Sequence, residues 1–252
     1  MDVGVLLPVR NALRTVETCL TTIRDQLYAP GLRGAYVVDD ASDDGTTEFL
    51  ANRPDWCAKI EHLPERRGWP AALNRAAELA IDDGCEALMI CNADDFLRLD
   101  CIARCRSGMW RHNVDMVVPL VQQLGEENVV QASLDGASLG DFRDHTPIVA
   151  FAMIRADVWA SLSGYATDVN LPPDEHGDPM AGHNEMDFYI RFLKAGHNYV
   201  VLDEYGPLVY YRMHEGQLHR SIVRRHAEAL RLIHTKHPEV LVTPPSSPEG
   251  EQ

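Results

Sequence analysis

Long hydrophobic runs are missing from these 252 residues. A helix needs roughly 18 consecutive apolar residues to cross a bilayer, and the longest apolar run near the start, Val3 to Val9, is far shorter and contains Pro8. Asp2 stands where a secretory leader carries Lys or Arg. The expectation is a soluble, unsecreted, cytoplasmic protein. Excess positive charge is missing too. Lys plus Arg number 23 against 38 Asp plus Glu, a formal net charge of −15. So acidic a chain repels phosphate backbones, which argues against a nucleic-acid scaffold. None of the six cysteines forms a Cys-x-x-Cys pair, so a zinc knuckle and a thioredoxin motif are excluded. Cys101 and Cys105 could share one helical face, where small buried apolar side chains are a simpler reading than metal ligands. The glycine-rich loops GxGxxG and GxxxxGK[ST] are absent, so any bound phosphate would have to be held by a metal instead.

What is present is ordinary for a globular domain: 45% hydrophobic and 24% charged residues. No linker or repeat interrupts the chain, which reads as one unit over residues 1–242, followed by a disordered tail at 243–252 rich in proline and serine. Apolar runs at Val3–Pro8, Ala35–Val38, Lys59–Leu63 and Ala87–Cys91 read as strands. They alternate with helical patterns at Val16–Leu27, Thr46–Asn52 and Pro70–Ile81. That alternation predicts an open, mostly parallel α/β sheet. The second half is less regular. Strands are expected at Met116–Leu120, Val129–Leu134, Pro147–Ile154, Asn198–Leu202 and Leu208–Met213, and helices near Val158–Leu162, at Glu185–Ala195 and at His219–His237. Asn170–His183 reads as a loop that closes over a bound donor.

Ligands of open parallel sheets bind beyond the carboxyl ends of the strands. Three such ends carry polar groups: Pro8-Val9-Arg10-Asn11, Asp39-Asp40 and Asn92-Ala93-Asp94-Asp95. Asp43 and Asp44 serve equally well as caps of the next helix. Asp94 and Asp95, adjacent at a strand end, repel each other unless a divalent cation lies between them, and hard oxygen ligands suit Mg²⁺ or Mn²⁺.

Taken in order, Val5-Leu6-Leu7-Pro8-Val9-Arg10-Asn11, Val37-Val38-Asp39-Asp40-Ala41-Ser42-Asp43-Asp44-Gly45-Thr46 and Asn92-Ala93-Asp94-Asp95 resemble a family 2 glycosyltransferase of the GT-A fold. The likeness continues through Arg67-Gly68 with Asn74, Leu162-Ser163-Gly164-Tyr165, Asn184-Glu185-Met186-Asp187 up to Arg191, and Tyr211-Arg212-Met213-His214. It covers residues 3 to about 221. The resemblance implies a Rossmann-like sheet with flanking helices: a nucleotide-sugar-binding half at 1–115, an acceptor and catalytic half at 116–218, and a basic C-terminal helix at 219–237. It implies transfer of a sugar from a nucleoside-diphosphate donor to an acceptor hydroxyl, with inversion at the anomeric carbon. Pro8, Arg10, Asn11, Asp40, Arg67, Gly68, Asn74 and Asp94 would then bind the nucleotide-sugar. Asp40 can accept the N3–H of uracil, which points to UDP. Asp95, with Asp94 and His214, would hold the metal that neutralises the departing diphosphate. Two positions depart from the family pattern: Asn92 replaces the first aspartate of Asp-x-Asp, and Asn184-Glu185 replaces Glu-Asp.

The acceptor hydroxyl must lose a proton, and Glu185 and Asp187 are the candidate bases. Asp187 precedes Arg191 by four residues, the spacing of a helical ion pair, which leaves Glu185 as the base. A sugar-nucleotide pyrophosphorylase lacks support because its glycine-rich basic loop is absent. A non-catalytic nucleotide-sugar-binding or assembly protein would be favoured by Asn92 and Asn184. The acceptor is open: a protein, a saccharide, a small metabolite or a hydroxylated nucleobase. Arg220, Arg224, Arg225, Arg231 and Lys236 reverse the local charge of the last helix. They form either a solvated face or a contact for an anionic acceptor, a partner or a membrane surface.

Overall fold

A computed structural model describes the chain apart from residues 28, 126–127, 172–181, 214–224 and 247–252. Its centre is β1 (Val3–Val9), buried along its whole length. It is paired in parallel with β2 (Leu32–Asp39) on one side and β4 (Ala87–Ile90) on the other. A continuous apolar run is what a strand covered on both faces requires. Alternate residues divide between the two faces. Val3, Val5, Leu7 and Val9 pack with α1 (Val16–Arg24) and α4 (Cys101–His112). Leu6, Tyr36 and Val38 pack with α3 (Trp69–Asp82) and α6 (Asn184–Lys194). The alanine-rich face of α3 lets the helix approach closely. A Cβ added at Gly4 would lie 2.9 Å from the Tyr36 ring and 3.0 Å from Ala80 Cβ. Pro8 is tolerated because β4 partners β1 only as far as Leu6, so the edge toward which its missing N–H would point has no ladder to complete.

The sheet has seven strands in the order β10-β6-β9-β4-β1-β2-β3. Here β3 is Lys59–His62, β6 Met116–Pro119, β9 Met153–Arg155 and β10 Tyr199–Leu202. Four of the six pairings are parallel, and β9 runs antiparallel to both β4 and β6. The mostly parallel α/β sheet expected from the sequence is therefore present. The strand expected over Pro147–Ile154 shortens to β9, and the one over Val129–Leu134 shortens to β8 (Val130–Gln131).

A second sheet, in the order β5-β11-β7-β8, joins β5 (Phe96–Leu97), β7 (Val121–Leu124) and β11 (Val209–Arg212) to β8. The remaining helices are α2 (Thr46–Ala51), α5 (Ala156–Ser161) and α7 (His226–Lys236). The start of the basic helix expected at 219, with Arg220 and Arg224, lies outside the described residues, as does most of the loop expected at 170–183. Described members of the basic set are partly neutralised: Arg225 pairs with Glu228, and Lys236 with Asp168 and Asp187. The first residues of the expected tail are held in place. The Ser246 amide donates to Asp141 at 3.0 Å, and the Ser138 hydroxyl donates to the Pro244 carbonyl at 3.0 Å.

Candidate active site

The carboxyl ends of β1 and β2 lie level, Val9 opposite Asp39. This brings the first two sequence motifs together. Arg10 Nη1 donates to the Asp40 carbonyl at 2.8 Å. Asn11 exchanges two bonds with Asp43: its Nδ2 donates to the Asp43 carboxylate at 2.8 Å and its Oδ1 accepts the Asp43 amide at 2.9 Å. Asp44 accepts the Thr46 amide at the head of α2 and the Leu13 amide, so it does the capping work. Asp39 is buried beneath the loop. Burial pushes its carboxyl up, but bonds from Ser42, Thr47 and His62 outweigh that and hold it below the usual range.

Asp40 follows β2 directly and is buried, 3% exposed. Its Oδ1 accepts the Arg67 amide at 2.6 Å and its Oδ2 accepts the Gly68 amide at 2.8 Å. Two backbone donors fix the carboxylate while leaving about half of its lone-pair sites for a ligand. The geometry depends on Gly68, whose φ of 88° and ψ of 157° suit glycine alone. Arg67 thus contributes its backbone, and its side chain pairs with Glu65. Pro8 is buried in β1 and offers no polar group.

Asn74 faces elsewhere. Its amide spans the backbone of Tyr165, donating to the carbonyl at 2.7 Å and accepting the N–H at 2.8 Å. Two motifs far apart in sequence, Arg67-Gly68 with Asn74 and Ser163-Gly164-Tyr165, are therefore one structural joint. Gly164 sits in the left-handed region at φ +61°, where a Cβ would come within 2.5 Å of Asn74 Oδ1.

The acids after β4 divide in role. Asp95 is 1% exposed. Its Oδ1 accepts the Arg212 amide at 2.8 Å and its Oδ2 accepts the Asn92 side-chain amide at 3.0 Å. Asp94 is half-buried beside it. Burial first, then the charge of Asp94, pushes the Asp95 carboxyl up to about 8 despite those two bonds. The Arg212 charge acts in the opposite direction without outweighing them. Two adjacent carboxylates offer hard oxygen donors, which fit a divalent cation. Among the described residues no cluster of three His, Cys, Asp or Glu side chains stands ready as a metal cage. Asn92 is fully engaged, because Trp69 Nε1 donates to its Oδ1 at 2.9 Å. His214 lies outside the described residues.

Glu185 sits in the first turn of α6 with a side chain one-fifth exposed, at 20%. Its charge raises the phenols of Tyr165, Tyr189 and Tyr211 beyond what burial does, and Tyr211 feels Asp95 and Asp94 as well. Tyr211 is thus close enough to feel both Glu185 and the acids that follow β4. Asp187 is fully buried. Its Oδ2 accepts Arg191 Nε at 2.8 Å, and its Oδ1 meets His237 Nε2 at 2.9 Å and Lys236 Nζ at 3.0 Å. Burial alone would raise it, yet these partners lower it to about 2. Asn184, where the family pattern has an acid, is buried and donates to the Ala166 carbonyl and to Asn170 Oδ1, a pair of acceptors that a carboxylate could not satisfy.

Trp69 was missed by the sequence reading, and Tyr165 and Arg212 stood in its motifs without a role, although all three support the site. The Trp69 and Tyr165 rings meet tilted, with centroids 5.5 Å apart, and the contact continues through Trp159 and Phe188 toward α6. The one signal for Trp69 was its place directly after Gly68. Arg212 acts through its backbone amide, which sequence cannot display.

Known structures share this layout. S. aureus TarS 1–349 in complex with UDP superposes with a TM-score of 0.68 at 16% identity, covering 94% of this chain and 65% of that one. A mannosyltransferase from Pyrobaculum calidifontis in complex with GDP-Man and Mn²⁺ gives 0.64 at 20% identity, with 94% and 64% covered. GalNAc-T7 with UDP, GalNAc and Mn²⁺ gives 0.64 at 13% identity, with 97% and 52% covered. The chain thus spans about two thirds, 65%, of the TarS 1–349 chain. Among curated proteins none matches. At such identities the likeness establishes the GT-A fold. Residues 4–157, more than half of the chain, match the family described as glycosyl transferase family 2, and with the motifs assembled at the strand ends the chain belongs to that family.

Proposed function

We propose that the protein is an inverting glycosyltransferase that uses a UDP-sugar and a divalent cation, Mn²⁺ or Mg²⁺, with Glu185 as general base. The observation that carries this reading is the placement of acidic groups at the carboxyl ends of β2 and β4, the two strands that flank β1. Asp40 is fixed by the Arg67 and Gly68 amides, and the Asp95 carboxyl stays raised by burial and by Asp94 although the Arg212 charge opposes that. Asp40 would accept N3–H of the uracil. Asp94, rather than Asp95, would bind the cation, because both Asp95 oxygens already accept bonds from the protein. The cation, when bound, neutralises charge on the departing diphosphate. Arg10 and Asn11 would shape the nucleotide cleft by locking its two loops together. Asn74 and Asp187 have positioning roles.

Across the cleft, Glu185 would accept the proton of the acceptor hydroxyl. As it does, the acceptor oxygen bonds to the anomeric carbon from the face opposite the diphosphate. The bond to the diphosphate oxygen breaks with its electron pair on that oxygen. Thermal shift with UDP, with and without Mn²⁺, tests the assignment. Asp94→Asn should lose the metal-dependent part of the shift, and Asp95→Asn, destabilised alone, should keep it. The opposite pattern would return the ligand role to Asp95.

A further inference from the structure

Behind Glu185 lies a pair of histidines that the transfer reaction as described does not use. His226 Nε2 is 2.8 Å from the backbone carbonyl of Asp144. A carbonyl only accepts, so Nε2 of His226 carries hydrogen, and in the neutral ring Nδ1 is then bare. His183 Nε2 is 3.0 Å from that Nδ1 and must donate to it. The second nitrogen of neutral His183 is bare in turn. That nitrogen, Nδ1, is buried without a hydrogen-bond partner and lies 4.0 Å from Glu185 Oε1. His183 itself is 7% exposed. Two acceptors, a ring lone pair and a carboxylate, thus face each other with no proton between them. One added proton satisfies both, since imidazolium would donate through Nε2 to His226 and through Nδ1 to Glu185.

We propose that His183 is the proton-holding partner of the base, a positioning residue that acts through Glu185 and is itself oriented by His226 and the Asp144 carbonyl. The proposal rests on the reading of Glu185 as base. In the step, the acceptor proton passes to Glu185 as the glycosidic bond forms. It then moves to His183 Nδ1, which becomes imidazolium, and Glu185 is restored as carboxylate. The imidazolium releases the proton to water through Glu185 before the next turnover. Among the described residues, the titratable groups around the pair are His226 on α7, Tyr165, Tyr189 on α6 and Tyr211 on β11. Asp187 is turned away toward Arg191, Lys236 and His237.

The test is the pH profile of kcat/KM for donor turnover. In the wild-type protein the acid limb should report the added proton shared between His183 and Glu185. His183→Gln keeps a donor toward His226 and removes the base. Its rate should fall at least about tenfold. Its acid limb should move to lower pH, because a carboxylate alone is a weaker base than imidazole. A limb that stays in place, with or without a lower plateau, overturns the proposal. A second measurement on the wild-type fold guards against misfolding of that variant. Nitrogen-15 NMR of labelled histidine should find His183 protonated at Nε2 at high pH and gaining its proton at Nδ1, with a midpoint that falls in Glu185→Gln. A ring protonated at Nδ1 at high pH, or a midpoint indifferent to Glu185→Gln, also overturns it. Transfer that survives Glu185→Gln would sink the base assignment instead, whatever His183 does.

Discussion

Position 92 carries an amide where the family pattern has an acid, and its neighbours supply the reason. Trp69 can only donate, so Oδ1 of Asn92 faces the indole and Nδ2 faces Asp95. An aspartate there would set a second charge about 3 Å from a carboxylate already pushed up to about 8. Asn92→Asp should therefore destabilise the fold by about 1–3 kcal/mol above neutral pH and recover as pH falls, which denaturant titration at two pH values would measure. A pH-independent change would place the cost elsewhere. Asp187 gives the opposite sign. Its carboxyl is lowered from 3.8 to about 2 in the folded protein, about 2 kcal/mol of stability. That contribution is complete above the unfolded value near 4 and is lost as pH falls toward 2. Asp187→Asn leaves Arg191, Lys236 and His237 facing a neutral amide and should cost about 3–5 kcal/mol. The variant's stability should also depend less steeply on pH between about 4 and 2, by the share that Asp187 contributes, while Asp39 and the other lowered carboxyls keep theirs. The spacing to Arg191 was legible in the sequence, whereas His237 and Lys236 approach from another helix and were not. Nor could the sequence separate Asp94 from Asp95, since which of two adjacent acids is buried is decided by β11.

Elements with a continuous apolar run or a clear helical period were readable: β1, β4, α3 and α6 to within a residue, β2 and α1 to within three at one end. The two-residue strands β5 and β8 are too short to show a period, and β7 directly follows β6 with one residue between them. α4 escaped because Arg104, Arg106, Ser107 and Arg111 dilute its apolar face, although Cys101 and Cys105 do share that face and are buried. At this scale the turn before α3 matters most. Gly68→Ala would force the amides that hold Asp40 out of place. Stability should fall by about 1–3 kcal/mol, and UDP affinity should fall with it in calorimetric titration. Unaltered affinity would mean that Asp40 does not read the nucleotide.

Across the whole molecule, the smaller sheet, α6 and the aromatic cluster of Trp69, Tyr165 and Phe188 connect the carboxyl end of the large sheet, where the nucleotide is proposed to bind, to the side that carries Glu185. Bound UDP should therefore raise the unfolding midpoint of the entire domain as one transition, with a stabilisation of about 2.7 kcal/mol at 100 times its dissociation constant. Two separate transitions in calorimetry would mean that the halves are independent. The central claim is direct displacement with Glu185 as base, and it can be tested without knowing the acceptor, because water can take the acceptor's place. The decisive measurement is time-resolved proton NMR of the sugar first released from an α-linked UDP-sugar with Mn²⁺. Direct displacement requires the β anomer to appear first, at a rate about 10²–10⁴-fold lower in Glu185→Gln. An α anomer formed first, or an unchanged rate in that variant, would contradict it.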